Sequence, residues 1–405
     1  MKNFIFMALL IGCGISKEFS IKELTSIAFD HNSEILAYTE SVIASKHYKN
    51  TVGTLPNPRL SGGYFINPVV TKEGPQEWKI GLNQSIPFIG KLFLQRKIAT
   101  HQITQAEISL IKSKLQIQTK VWNLYEKIKK NRDELEIVQQ SLGLSKHLEA
   151  VIFSKYKTST IGHPNLVQIQ LRIIKLENRL SDMNDVFHVL WQELEFVIGK
   201  QIQGSLQESD NMKENNIGIN LNADFLLNKE KVKIADKQVK LSKLEYIPDF
   251  TIGMDYIKLD NIESDKNPLI MKMGISLPIW PYKNNNIIKS KKSNYKASEY
   301  KLKDIQNKLE AKLIIIQNEI NEYNNDINMY QTQLIPKAIE GFETAESAYI
   351  SGNLSFSDLI ASLQLLIELQ FEAVNVDFNN QIAVAQYYEL TGQLITNLKN
   401  EGNNE

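Results

Sequence analysis

The sequence predicts a mainly α-helical protein that contains two β-hairpins and is built from two copies of one pattern. Hydrophobic residues recur at spacings of three, four and seven over a long stretch with no proline between Pro87 and Pro164. Such spacing is typical of a long helix that packs on its neighbours. Short segments of strict alternation, typical of strands, precede each long helix. The order helix, hairpin, long helix, return helix occurs twice, which indicates an internal repeat.

The composition excludes several classes of protein. The chain has 405 residues, with 46 Lys and Arg against 46 Asp and Glu, 42% hydrophobic residues and one Cys. A formal charge of zero argues against a nucleic-acid partner, which requires a basic surface. One Cys excludes an intrachain disulfide, and the hydrophobic fraction argues against wholesale disorder. Beyond the N-terminus, no uninterrupted apolar run reaches the roughly 18 residues of a membrane helix.

The N-terminus is predicted to be a signal peptide over residues 1–16. One Lys precedes an apolar run over residues 4–11, which is too short for a stop-transfer helix. The run ends in the tetrapeptide Leu-Ile-Gly-Cys, which resembles a bacterial lipobox, so Cys13 is a candidate lipidation site. Alternatively, the small residues Gly14 and Ser16 favour ordinary cleavage before Lys17, which would discard the Cys. Both alternatives predict export from the cytoplasm.

The first copy of the pattern is predicted over residues 17–198. A helix that reaches about residue 52 ends before Pro56 and Pro58, because proline cannot continue a helix. A hairpin follows over residues 58–86, then a long helix over 91–156 and a return helix over 166–198. The polar stretch 199–222, rich in Gly and Asn, is predicted to be a connector.

The second copy is predicted over residues 223–392, and a tail over 393–405 follows it. Its first helix ends before Pro248. A hairpin over 248–278, a long helix over 287–350 and a return helix over 356–390 complete it. Gly143 and Pro336 occupy equivalent places in the two long helices, and both residue types weaken a helix. They are therefore candidates for a bend.

The predicted strands alternate apolar residues with small or polar ones, over the length of a tilted membrane-spanning strand. Aromatic residues lie near the strand ends, as in an interfacial girdle: Tyr64, Trp78, Tyr256, Trp280 and Tyr282. The alternative is an ordinary antiparallel sheet with one face on a core. Export, and the absence of a partner sheet in the sequence, favour the membrane. Four strands cannot close a membrane barrel, which needs about eight, so the chain is expected to oligomerise.

Taken together, these features resemble the TolC-like outer membrane efflux proteins over essentially the whole mature chain. The resemblance is carried by Leu24, Ala28, Asn32 and Glu34, by residues 55–58, 84–91, 248–249, 275–280 and 349–352, and by residues 357–359. The 84–91 segment is similar to one common in the heavy-metal branch of that family. The chain departs from the family pattern at Ser33, at Ile89 and in the form of residues 160–164.

The resemblance implies a homotrimer. Its twelve strands would form an outer-membrane β-barrel, continued by a long α-helical tunnel in the periplasm. Such proteins serve as the exit duct of a tripartite efflux pump, perform no chemistry and hold no cofactor. The implied partners are a periplasmic adaptor (membrane fusion) protein, an inner-membrane transporter of the RND type and outer-membrane lipid. The branch implies heavy-metal cations as cargo, with drug export or type I protein secretion as alternatives.

The resemblance also implies two kinds of functional residue. Adaptor contact is expected at the two helix–turn–helix tips, at Thr158, Ser159, Thr160, Ile161 and Gly162, and at Ser351, Gly352, Asn353, Leu354 and Ser355. Asp358 matches a carboxylate that lines the constricted end of the tunnel, where three copies would form an anionic ring. The alternative role of Ser355 and Asp358 is to cap a helix.

Two further classes of function are open to a sequence of this kind. An enzyme is disfavoured, because the sequence has no Ser/His/Asp motif, no metal-ligand spacing and no phosphate-binding Gly loop. For the same reason no metal site is expected. A periplasmic adaptor or coiled-coil scaffold would share the helical hairpins, but it would not need two strand pairs with an apolar face.

Overall fold

Eight helices and seven strands form the part of the chain that the computed structural model describes, which comprises residues 17–157, 162–207, 217–260 and 267–397. The helices are α1 (Ile21–His31), α2 (Ser33–Thr51), α3 (Ile89–Lys157), α4 (His163–Ile198), α5 (Ala223–Leu244), α6 (Pro281–Met329), α7 (Ile335–Ile350) and α8 (Phe356–Thr391). The strands are β1 (Glu18–Phe19), β2 (Arg59–Tyr64), β3 (Val70–Thr71), β4 (Gly74–Ile86), β5 (Ser205–Leu206), β6 (Phe250–Leu259) and β7 (Leu269–Ile275). The predicted signal peptide, with Cys13, and the tail beyond residue 397 lie outside the described residues.

The chain divides into two compact units, and each unit draws on both copies of the repeat. The helical unit comprises the described residues within 1–36, 113–222 and 309–405. The sheet unit comprises the described residues within 37–112 and 223–308. The division by contacts therefore cuts across the division by sequence repeat, because elements of the two copies pack on each other.

The sheet unit contains a four-stranded antiparallel sheet in the order β2-β4-β6-β7. The short strand β3 pairs with the start of β4. Strand β4 of the first copy pairs with β6 of the second copy along its length, with one bulge between Gln76 and Trp78. The two predicted hairpins are thus joined into one sheet whose outer strands are β2 and β7.

The helical unit is held together by aromatic and aliphatic side chains of its long helices. Trp122 and Tyr125 of α3 and Tyr387 and Tyr388 of α8 are all but fully buried, and the rings of Trp122 and Tyr388 lie 5.3 Å apart. At the other end of these helices, a second apolar cluster joins α3, α4, α7 and α8. The connector 199–222 contributes β5, which pairs in parallel with β1, and a 3₁₀ turn at Ile219–Leu221.

The first predicted helix is two helices, because Asn32 interrupts it. The backbone of Asn32 is extended (φ −68°, ψ 123°). Its side-chain Oδ1 accepts the N–H of Glu34 at 2.9 Å and that of Ile35 at 3.2 Å, which caps α2. Its Nδ2 donates to the Val197 carbonyl oxygen at the end of α4, at 2.7 Å. The sequence predicts a break later in the chain, at the prolines, and does not predict the break at Asn32.

The second long helix begins earlier than predicted and is interrupted once. Helix α6 begins at Pro281 rather than at residue 287, because a proline in the first turn costs no intrahelical hydrogen bond. A π-helical turn, Tyr330–Leu334, then separates α6 from α7 immediately before Pro336. The expected irregularity is therefore present near Pro336, whereas α3 continues through Gly143 without interruption.

Helix α8 alone among the described helices is long and apolar enough to cross a membrane by length and composition. Its apolar residues are interrupted by Glu368 and Glu372, so it contains no uninterrupted apolar run of about 18 residues. Leu359, Leu363 and Leu366 of α8 lie in the second apolar cluster of the helical unit. These contacts join this part of α8 to α3, α4 and α7.

Candidate functional site

The turn between α7 and α8 has a fixed backbone. Gly352 has a left-handed conformation, with φ 84°. Its N–H donates to the Tyr349 carbonyl oxygen (3.1 Å between N and O), and the N–H of Asn353 donates to that of Ala348 (2.8 Å). These two bonds form a Schellman motif, which satisfies the last carbonyl groups of α7. The second predicted tip is therefore an ordered helix terminus whose last carbonyl groups are hydrogen-bonded.

Asp358 and Ser355 form the start of α8. The Ser355 hydroxyl accepts the N–H of Asp358 at 3.2 Å and donates to its carboxylate Oδ2 at 2.7 Å. Asp358 is exposed, and a carboxylate in the first turn is stabilised by the helix dipole. The capping role is thus present in the structure, and the carboxylate remains accessible to solvent in the single chain.

The turn rests on the second apolar cluster of the helical unit. Leu354 packs against this cluster, and Phe356 and Leu359 belong to it. The Lys155 ammonium near the end of α3 donates to the Tyr349 carbonyl oxygen at 2.6 Å and lies 4.7 Å from the Tyr349 ring centroid. The ends of α3 and α7 are therefore tied together directly beneath the exposed turn.

The first tip is described only at its end. Thr158, Ser159, Thr160 and Ile161 lie outside the described residues. Gly162 is the N-cap of α4, without a side-chain cap, and Pro164 lies in the first turn of that helix.

One face of the sheet is apolar on all four strands and is exposed in the single chain. Its exposed members are Leu60, Tyr64, Ile80, Leu82, Phe250, Ile252, Met254, Tyr256, Leu269, Met271, Met273 and Ile275. The pairing register places them on the same face, because directly opposed residues project to the same side. Met271 and Met273 are 78% and 86% exposed. A contiguous exposed apolar surface of this size marks contact with a membrane or another protein.

The other face of the sheet carries most of the charged and polar side chains, together with Ile257 and Ile270, and has glycines opposite its polar side chains. Gly81 faces Asp255, and Gly253 faces Asn83. A Cβ added to either glycine would collide with the side chain opposite it. Asp255 also forms an ion pair with Lys272 (2.5 Å between Oδ1 and Nζ). The polar side chains therefore lie along the sheet, over the space that the glycines leave.

Lys91 has a structural role at the junction of the two repeats. Its side chain is 8% exposed, and its Nζ lies 2.9 Å from Asp249 Oδ1 and 3.7 Å from Glu245 Oε2. The same Asp249 oxygen accepts the N–H of Phe88 at 2.8 Å. Partial burial acts to raise the pKa of the Asp249 carboxyl, but the hydrogen bonds from Lys91 and Phe88, together with the charge of Lys91, hold that pKa below its usual value. The 84–91 segment thus fixes the start of α3 to the start of β6.

Within the described ranges, no group of three or more His, Cys, Asp or Glu side chains could hold a metal ion. The two carboxylates nearest Lys91 are engaged by it, and Asp358 is engaged by Ser355.

Comparisons with protein-family models and with curated proteins gave no match. Solved structures match over almost the whole chain. The outer membrane protein VceC of Vibrio cholerae is 14% identical, with a TM-score of 0.77 over 92% of this chain and 96% of its own. CusC, whose structures concern conformational changes in folding and transmembrane channel formation, is 14% identical. Its TM-score is 0.80 over 94% of this chain and 93% of its own.

The fold is TolC-like. The Campylobacter jejuni outer membrane channel CmeC matches similarly, at 13% identity with a TM-score of 0.75 over 94% of this chain and 87% of its own. The predicted fold class, mainly helical with a small antiparallel sheet, is thereby confirmed. The similar TM-scores of these structures do not distinguish a heavy-metal branch within the TolC-like fold.

Proposed function

We propose that the protein is an outer-membrane channel that serves as the exit duct of a tripartite efflux pump. The observation that carries this proposal is the exposed apolar face of the sheet, because lipid would cover such a face while the polar face lined a wet passage. The solved structures that share the fold are described as outer membrane proteins or channels. The duct itself conducts its cargo and performs no reaction.

The sheet is incomplete in one chain. Strands β2 and β7 lie at its edges, and an open edge is a template for pairing with another chain. Four strands are too few to close a membrane barrel, which needs about eight. A homotrimer with twelve strands satisfies both requirements.

The oligomeric state tests this architecture. We expect the full-length protein, extracted from membranes in detergent, to have the mass of three chains after subtraction of bound detergent, and to precipitate when the detergent is removed. A protein that stays dispersed as a monomer without detergent would support the periplasmic adaptor or scaffold alternative, because no apolar face would then require lipid.

The two tips are the proposed contacts for a periplasmic adaptor, and an inner-membrane transporter of the RND type would drive export. Support comes from the second tip, where the exposed residues Ser351, Gly352 and Asn353 stand on a fixed turn above an apolar cluster. A partner that binds a preformed turn pays little ordering entropy.

Asp358 is proposed to line a closed end of the duct. We expect Asp358→Asn to shift the reversal potential of the reconstituted channel in a KCl gradient towards anions, because three copies of the carboxylate attract cations. The Ser355 hydroxyl would still accept the N–H of residue 358, so the helix cap survives in part. The control is Glu343→Gln, which removes an exposed carboxylate from α7. An equal shift in both variants would contradict the assignment of Asp358.

For the cargo, we propose heavy-metal cations, and only the 84–91 segment supports this choice. The structural role of Lys91 accounts for part of that segment without reference to cargo. Deletion of the gene should lower tolerance to zinc, cobalt, cadmium, copper or silver. Unchanged metal tolerance with increased sensitivity to organic toxicants would support drug export instead.

A further inference from the structure

A row of residues crosses the polar face of the sheet and carries a positive charge at each end. Arg59 of β2 faces Asn83 of β4, Asn83 faces Gly253 of β6, and Gly253 faces Lys272 of β7. Directly opposed residues of neighbouring strands project to the same face, so all four belong to the polar side. Cations therefore stand at both open edges of the sheet in the same row.

The centre of this row is held close to the sheet. Because a Cβ at Gly253 would collide with the Asn83 amide, the Asn83 side chain lies over the glycine. Lys79, two residues before Gly81 on β4, lies similarly beside Gly63, where an added Cβ would be 3.4 Å from its Cε. The glycines let long polar side chains follow the wall of the sheet instead of projecting away from it.

The polar face has a net positive charge. Arg59, Lys79 and Lys272 are its cations, and Asp255 is the carboxylate that lies opposite Gly81. Asp255 is paired with Lys272. Within the described part of the chain, neither Arg59 nor Lys79 forms an ion pair. Glu77 lies in the bulge of β4, and even if its charge is included, the three cations outnumber the two carboxylates of this face by one.

We propose that this row makes the polar face an anion-attracting wall that favours the passage of anionic solutes over free divalent cations. A heavy-metal cargo would then pass this wall as an anionic complex. The inference rests on the proposed function, in which this face lines the duct. Edge-to-edge pairing of three copies would place β7, which carries Lys272, beside β2 of the next chain, which carries Arg59. Charges that line a narrow aqueous passage raise the local concentration of counter-ions and repel ions of like charge.

The experiment measures the potential at the row directly, without requiring an open channel. Asn83→Cys places a thiol between Arg59 and Lys272 in the full-length protein in lipid vesicles. Its rates of modification by an anionic and a cationic methanethiosulfonate are compared, and modification at position 83 is read by peptide mass. Any change in thiolate fraction affects both rates equally, so their ratio reports the local potential.

We expect the anionic-to-cationic rate ratio to fall about 2- to 5-fold at low salt when Arg59→Gln and Lys272→Gln are added. Asp255→Asn should raise the ratio. The matched control is Lys258→Gln, which removes a lysine at the end of β6 in the alternation of the apolar face and should leave the ratio unchanged. Retained trimer mass and helical circular dichroism show that each variant has folded.

Two results would overturn the inference, and they can be told apart. If Asn83→Cys reacts readily but the ratio is the same with and without Arg59 and Lys272, the duct stands and the anion-attracting wall does not. Leu82→Cys places the thiol on the apolar face, where lipid should protect it from both reagents. If it reacts as fast as Asn83→Cys, the membrane assignment of the sheet fails, and the inference fails with it.

Discussion

Replacement of Gly392 by alanine should destabilise the helical unit strongly. Gly392 ends α8 with φ 77°, a conformation that costs an L-residue about 1–2 kcal/mol. In addition, a Cβ at this position would lie 2.6 Å from the Leu221 carbonyl carbon. Backbone must move to relieve that contact, which adds about 1–3 kcal/mol. We expect a clear fall in the thermal unfolding midpoint, followed by circular dichroism in detergent.

Gly352 provides the matched control for this prediction. It is also left-handed, with φ 84°, but nothing lies within 4 Å of an added Cβ. Gly352→Ala should therefore show only the conformational cost. Equal losses of stability in the two variants would mean that the close approach of Gly392 to Leu221 contributes nothing.

Glu126 should make the stability of the protein depend on pH. It is buried in α3, and its removal from water raises the pKa of its carboxyl to about 7, although Lys129 acts in the opposite direction and Asp377 and Asp133 add to the rise. The folded state therefore binds a proton that the unfolded state releases at about pH 4.5. The contribution of Glu126 to the free energy of unfolding is fully present below about pH 4.5 and is lost as the pH rises through about 7. The loss is about 3 kcal/mol.

Glu126→Gln removes this titration while it keeps the shape of the side chain. We expect the variant to be more stable than the natural protein at pH 8 and to differ little from it at pH 4.5. Glu136→Gln changes an exposed carboxylate on the same helix and should leave the pH profile unchanged. If the unfolding midpoints of the natural protein and Glu126→Gln run parallel from pH 4.5 to pH 8, Glu126 does not titrate in this range.

The strands and the long helices could be predicted from the sequence, because local patterns determine them. Alternation gave both hairpins, and the spacing of Trp122, Tyr125 and their neighbours gave α3. The break at Asn32 could not be predicted this way, because its side chain bonds to a carbonyl group 165 positions away. The two-residue strands β1 and β5 are too short to leave a periodic signal.

The same distinction between local patterns and contacts of distant residues applies to the candidate site. The turn at Gly352 and the cap at Ser355 are local, and their residue types indicate them. The Lys91–Asp249 contact joins residues 158 positions apart in different repeats, so the sequence shows both residues but not their partnership. The burial of Glu126 could not be predicted for a related reason. A single carboxylate within an apolar stripe has the pattern of a surface residue, and only the packing of α8 on α3 reveals that it is buried.

The π-helical turn before Pro336 restores the phase between two halves of a long helix. The buried residues of α6 include Leu309, Ile316 and Ile320, and those of α7 are Phe342 and Tyr349. Ile320 and Phe342 are 22 positions apart, one more than three heptads. From Pro281 to Ile350 there are 70 residues, against 69 in α3. The wider turn thus accommodates one surplus residue, and the same side of the helix faces the core before and after it.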